Sequence, residues 1–204
     1  MRAMVRHPDC AGVQENGCGM LANVTAGDIA RTCARTQAVI AAGGASAVVA
    51  GMTVRFDSVE TQRDACRVLH NISCGPDANA DAVFAAGGVE AALRAMAAHA
   101  DCAEVQEFGC GMLANVTAGD DNARTEAVIA AGGAAALAKA MLSCPDAEDV
   151  HQDACRALHN MTLGPDSNAE AVVAAGGVEA ILHAMAAHPD CAGVQENGCG
   201  MLAN

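Results

Sequence analysis

A stretch of 16 or 17 residues returns along this chain, and any fold it adopts must house that stretch repeatedly. It reads VQENGCGMLANVTAGD at Val13 to Asp28, TQRDACRVLHNISCGPD at Thr61 to Asp77, VQEFGCGMLANVTAGD at Val105 to Asp120 and VHQDACRALHNMTLGPD at Val150 to Asp166. A shorter form, VQENGCGMLAN, occupies Val194 to Asn204. Each copy carries a Cys and, five residues on, an Asn. The anchors Asn23, Asn71, Asn115, Asn160 and Asn204 stand 48, 44, 45 and 44 residues apart. That interval belongs to stacked units that each bury one face against the next, so the chain reads as a solenoid.

Every copy also has the spacing of an amphipathic helix. The residues two and five before the Asn, Leu69 and Cys66 in the second copy, share an apolar face. The Asn and the residues four, seven and eight before it share the opposite face, Asn71 with Arg67, Asp64 and Arg63. Parallel helices of this kind set five polar stripes side by side, with the asparagines forming a ladder.

The totals bound what such an array can do. Net charge is −13, with only 11 Lys and Arg among 204 residues and no basic run, which excludes nucleic acid as the expected partner. Aromatic residues are 1% against 52% hydrophobic, so the core must be built from small side chains packed closely. The 11 cysteines are an odd number. Cys18, Cys66, Cys110, Cys155 and Cys199 fall at one repeat position on the apolar face, where they read as core residues on successive layers rather than a disulfide framework. A reducing compartment, the cytoplasm, is expected, and the opening MRAMVRHPDCAGVQENG lacks the apolar core of a signal peptide. The uncharged run Ala38 to Val54 is broken by Gly43 and Gly44 and reads as two short buried helices, so no membrane partner is expected.

Between copies the chain repeats a second pattern. QAVIAAGGASAVVAGM at Gln37 to Met52 corresponds to Asp81 to Met96, Glu126 to Met141 and Glu170 to Met185. Each predicts a short helix (AVIAA), a Gly-Gly turn and a second helix of ten to twelve residues, giving three helices per unit. The linker after the first copy is longer than the others, its extra residues falling in IARTCART, Ile29 to Thr36, which reads as a surface insertion.

Short helix, medium helix and a long helix ending L-x-N-[VI]-[TS] together resemble the armadillo repeat. Val105 to Val150 carries that wording nearly position by position, and the likeness spans the whole chain. HEAT repeats are the competing assignment; the short first helix and the Asn argue against them. The resemblance implies an all-α, right-handed superhelix with three helices in each repeat of about 44 residues, one array over 1–204 of about four and a half repeats, cut mid-repeat at both ends. End-to-end self-association through uncapped terminal repeats is therefore also expected.

A longer period overlies the first. Copies one, three and five read GCGMLAN, whereas copies two and four read ACRVLHN or ACRALHN, so the duplicated unit is a pair of repeats. His7 to Asn23 and His188 to Asn204 are identical over 17 residues.

In armadillo proteins the third helices line a concave groove in which asparagines hold the backbone of an extended peptide. An amide suits that task because it offers both donor and acceptor. The resemblance therefore implies a non-catalytic, cofactor-free scaffold for a protein or extended peptide. Its contacts would be Asn23, Asn71, Asn115, Asn160 and Asn204, with Arg67, Arg156, Phe108 and Glu107 setting preference. The alternative for the asparagines is that they satisfy local backbone groups.

Nuclear-import receptors place Trp four residues before the Asn; here Gly19, Gly111 and Gly200 or Arg67 and Arg156 stand there, against an importin-like role. The glycines would leave the groove floor open, the arginines would favour carboxylate or phosphate, and Glu15, Glu107 and Glu196 would favour basic residues. Phe108 either stands exposed in the groove or folds back onto a neighbouring layer. Four of the asparagines begin N-x-S/T triplets, which the repeat itself explains. H-x-x-C recurs at His7 and Cys10, His99 and Cys102, and His188 and Cys191, two candidate ligands per loop and too few for a tetrahedral metal site. No nucleophile, base and orienter set stands out, so no enzyme is expected. A structural spacer within a larger repeat protein, an importin-like adaptor and a thiol- or metal-linked sensor are the other readings.

Overall fold

The computed structural model describes residues 1–27 and 29–204, with backbone alone at 29–32. Asp28, where the first copy ends, therefore lies outside the described residues, as do the side chains of the first four residues of the IARTCART insertion. After α1 (Arg2–Arg6) and α2 (Ala11–Thr25), the chain forms four units of three helices. They are α3 (Ile29–Ala41), α4 (Gly44–Val54) and α5 (Val59–Ser73); α6 (Asp77–Ala85), α7 (Gly88–Ala98) and α8 (Ala103–Val116); α9 (Asn122–Ala130), α10 (Gly133–Ser143) and α11 (Glu148–Thr162); and α12 (Asp166–Ala174), α13 (Gly177–Ala187) and α14 (Ala192–Ala203). No strand occurs among the described residues.

The first helix of each unit is longer than its AVIAA core: 9 residues in α6, α9 and α12 and 13 in α3. The inserted residues thus extend α3 by about a turn. Pro76 and Pro165 start α6 and α12, where a missing N–H costs nothing. Each Gly-Gly pair ends the first helix and starts the second, and the apolar run of residues 38–54 bends by 70° there. No single helix among the described residues is long and apolar enough to cross a membrane.

The third helices α2, α5, α8, α11 and α14 stack on one another in order and form the most extensive contacts in the molecule. Leu21, Leu69, Leu113 and Leu158, two before the Asn, are fully buried, each contributing roughly 1.5–3 kcal/mol. Cys18, Cys66, Cys110 and Cys155 are buried beside them, and burial pushes the thiols of Cys18, Cys66 and Cys155 up to about 12. The fifth cysteine of this series departs from its sequence reading: Cys199 is exposed because no further layer covers α14 here.

Candidate functional site

Counting back from each asparagine, the half-exposed positions are those expected from helical spacing: Arg63, Asp64, Arg67 and Asn71 border solvent while Cys66 and Leu69 do not. Stacking then decides where the amides point. Asn71 Nδ2 donates to Thr25 Oγ1 at 3.2 Å, Asn115 Nδ2 to Ser73 Oγ at 3.1 Å and Asn204 Nδ2 to Thr162 Oγ1 at 3.1 Å. Asn160 Nδ2 instead reaches the Ala114 carbonyl at 3.0 Å. The acceptor is thus the hydroxyl two residues after the preceding repeat's own asparagine, or a carbonyl one residue before it. In three of the four N-x-S/T triplets the hydroxyl, on Thr25, Ser73 or Thr162, receives the next layer's amide, whereas Thr117 of the fourth does not. Asn23 is exposed on α2.

The residues four before the asparagines alternate. In even copies, Arg67 Nη2 donates to Asn23 Oδ1 at 3.5 Å and Arg156 Nη1 to Asn115 Oδ1 at 3.3 Å. Their remaining charge is met on their own helix, Arg67 by Asp64 at 3.6 Å and Arg156 by Asp153 at 2.7 Å. In odd copies the glycine makes room for a neighbour rather than opening the floor. A β-carbon on Gly111 would lie 2.6 Å from Asp153 Oδ2 and 3.1 Å from His70 Nε2, and one on Gly200 would lie 2.6 Å from the His159 ring. Phe108 folds back: it is half-buried against the core, its ring centroid 6.0 Å from that of His70 on the preceding layer.

Charge is uneven along this face. On α2 and α5, Glu15 pairs with Arg55 at 3.2 Å and Asp64 lies between Arg63 and Arg67. On α8 and α11, among the described residues, no cation pairs with Glu104, Glu107 or Asp149. Burial, reinforced by Asp149, Asp153 and Glu104, raises the Glu107 carboxyl above its usual range. Burial lowers His70, with Asp153 opposing and Arg156 adding to the shift. Among the described residues no three His, Cys, Asp or Glu side chains come together as metal ligands. The H-x-x-C segments are turns, closed by the amide of Cys10, Cys102 or Cys191 on the His carbonyl three residues back.

Two groups that hold this face in place escaped the sequence reading. Nine residues before each Asn stands a polar side chain, buried in all but the last copy, that closes the end of the preceding helix. Gln106 Nε2 donates to the carbonyls of Met96 and His99, both at 3.0 Å, and Gln14, Gln62 and Gln195 do the same in their units. In the fourth unit His151 takes this place, its Nε2 3.1 Å from the Met141 carbonyl. The signal was recurrence of a polar residue on an apolar face. The other group is Arg124, 3% exposed, which donates to the carbonyls of Val116 at 2.6 Å and Ala118 at 2.9 Å and pairs with Asp81 and Asp77.

Comparison with known families settles what this stack is. The family described as LRRK2 ARM repeat matches residues 88–204, more than half of the chain. The chain belongs to the armadillo-repeat family. Its armadillo fold superposes on an engineered protein, Northeast Structural Genomics Consortium Target OR329, with a TM-score of 0.77 and 31% identity, covering 95% of this chain and 73% of that one. A designed armadillo repeat protein in complex with the peptide (KR)4 gives a TM-score of 0.76 at 22% identity, over 98% and 79% of the two chains. Computationally designed armadillo repeat proteins for modular peptide recognition give 0.78 at 24%, over 98% and 79%. The last two likenesses establish the armadillo fold alone. No curated protein matches the chain.

Proposed function

We propose that this armadillo array is a non-catalytic scaffold that holds an extended, basic peptide or disordered segment along the third-helix face. The observation that carries the proposal is the cluster of carboxylates on α8 and α11, where Glu104 and Asp149 act on Glu107 along the helix face that carries the asparagines and, among the described residues, none of the three pairs with a cation. A Lys or Arg side chain seated there would relieve the repulsion that raises Glu107. The two arginines that favoured an acidic ligand from sequence are already occupied by Asp64 and Asp153, so the balance falls to the basic one. That a designed relative of the same fold is seen with (KR)4 agrees with this choice. Eleven free cysteines suit the cytoplasm as the place where it works.

The test is fluorescence anisotropy with a labelled octapeptide of alternating Lys and Arg, against a Glu-rich octapeptide of equal length. Saturable binding of the basic peptide, weakened by salt and by Glu107→Lys, is expected. Equal binding of both peptides, or of neither, would overturn the proposal. The second reading, a structural spacer, is favoured by the amide bonds between layers, and it predicts no binding of either peptide.

A further inference from the structure

The asparagines are not equivalent, and the difference follows the pair period. An Asn side chain holds a peptide unit with two groups, Nδ2 donating and Oδ1 accepting. In Asn115 both are engaged within the array: Nδ2 by Ser73 and Oδ1 by Arg156 of the next repeat. Asn23 Oδ1 is likewise covered by Arg67. Asn71 and Asn160 differ. Their Nδ2 groups reach back to the preceding layer, but the residue of the next repeat that would cover Oδ1 is Gly111 or Gly200, which has no side chain to do so. Among the described residues, nothing donates to either Oδ1.

We infer that, of the four asparagines with a following repeat in the structure, only the even ones, Asn71 and Asn160, present an open carbonyl to a ligand backbone, while Asn115 and Asn23 are closed by Arg156 and Arg67 and act as layer staples. The peptide is then gripped at every second repeat. Helix layers are about 8–10 Å apart, and less on an inner face. An extended chain advances about 3.3 Å per residue, so the grips fall roughly four to six residues apart. The ligand this spacing fits has free backbone N–H groups at that interval and a basic side chain between them, beside Glu107. The inference rests on the peptide-scaffold reading and adds which repeats do the holding.

A double-mutant cycle tests it with the same labelled Lys-Arg octapeptide, on variants checked for parental helicity. Asn71→Ala and Asn160→Ala are each expected to weaken binding by roughly ten-fold, the effect of one buried hydrogen bond. Asn115→Ala should change it by less than about two-fold in the parent and by roughly five- to ten-fold in an Arg156→Ala background, where its carbonyl is uncovered. Because Asn115→Ala removes the same Ser73 bond and leaves the same charge in both backgrounds, the difference reports the carbonyl. If Asn115→Ala costs the same in both, the alternation is wrong while the scaffold reading stands. If the parent binds no peptide, both fall together.

Discussion

The carbonyl oxygen of Val83 lies 2.8 Å from the point a β-carbon on Gly88 would occupy. Gly133 meets Val128 and Gly177 meets Val172 in the same way, both at 2.8 Å, so the second glycine of each pair is required for space. The first is required for conformation: Gly87 has φ +76°, and a β-carbon there would meet only the end of the Glu90 side chain, at an ordinary 3.8 Å. Gly88→Ala should therefore lower the urea midpoint more than Gly87→Asn. The former forces a backbone oxygen to move, at about 1–3 kcal/mol; the latter keeps a residue that tolerates the left-handed region. Equal losses would mean that the turn is limited by backbone angle alone.

His151 is fully buried, and among the described residues its Nδ1 has no partner, whereas a glutamine there in other units makes two bonds. Burial, then the neighbouring His188, lowers its affinity for a proton below the usual 6.5. The unfolded chain binds that proton first as pH falls, so the stability it contributes is complete above about pH 6.5 and is lost as pH drops from there through the folded value. His151→Gln is expected to stabilise the array by about 1 kcal/mol at pH 7.5. The gap over the parent should widen at pH 5.5, as urea midpoints at the two pH values will show. A gap that narrows toward acid contradicts this assignment. Some acid sensitivity should persist through His70, whose affinity burial also lowers.

Arg124 is 3% exposed, whereas its partner Asp81 is 60% exposed. Most of what Arg124 contributes is therefore its bonds to the carbonyls of Val116 and Ala118, and the exposed ion pair adds less than about 1 kcal/mol. Arg124→Ala should cost roughly 2–3 kcal/mol. Asp81→Ala should cost far less, and nothing further once Arg124 is gone. Chemical denaturation of the two single variants and the double variant checks the order; a larger loss from Asp81→Ala would reverse it.

What the sequence made legible is what periodicity encodes. Leu69, Cys66 and Asn71 fall on the faces their spacing predicts, and the Gly-Gly turns break the chain where expected. Three- and four-residue spacing determines these, because it fixes which residues share a side of a helix. Partners between layers are another matter. Whether Asn115 reaches a ligand or Ser73 depends on a distance between helices 42 residues apart, which no local pattern contains. Gln106 looked like any polar residue in VQEFGCGM, since its two acceptors belong to the end of the helix before it. Phe108 was ambiguous for the same reason: its resting place is a His70 ring on another repeat.

The alternation of glycine and arginine before the asparagines also gives the array a parity. His70 fits against Gly111, and Arg156 reaches Asn115, only because odd and even helices take turns. Removing one unit would set α5 directly on α11, driving His70 toward an arginine where a glycine had left room. Lineages of this protein can therefore gain or lose length in doublets with every seam intact, whereas a change by a single repeat leaves one mismatched seam wherever it occurs.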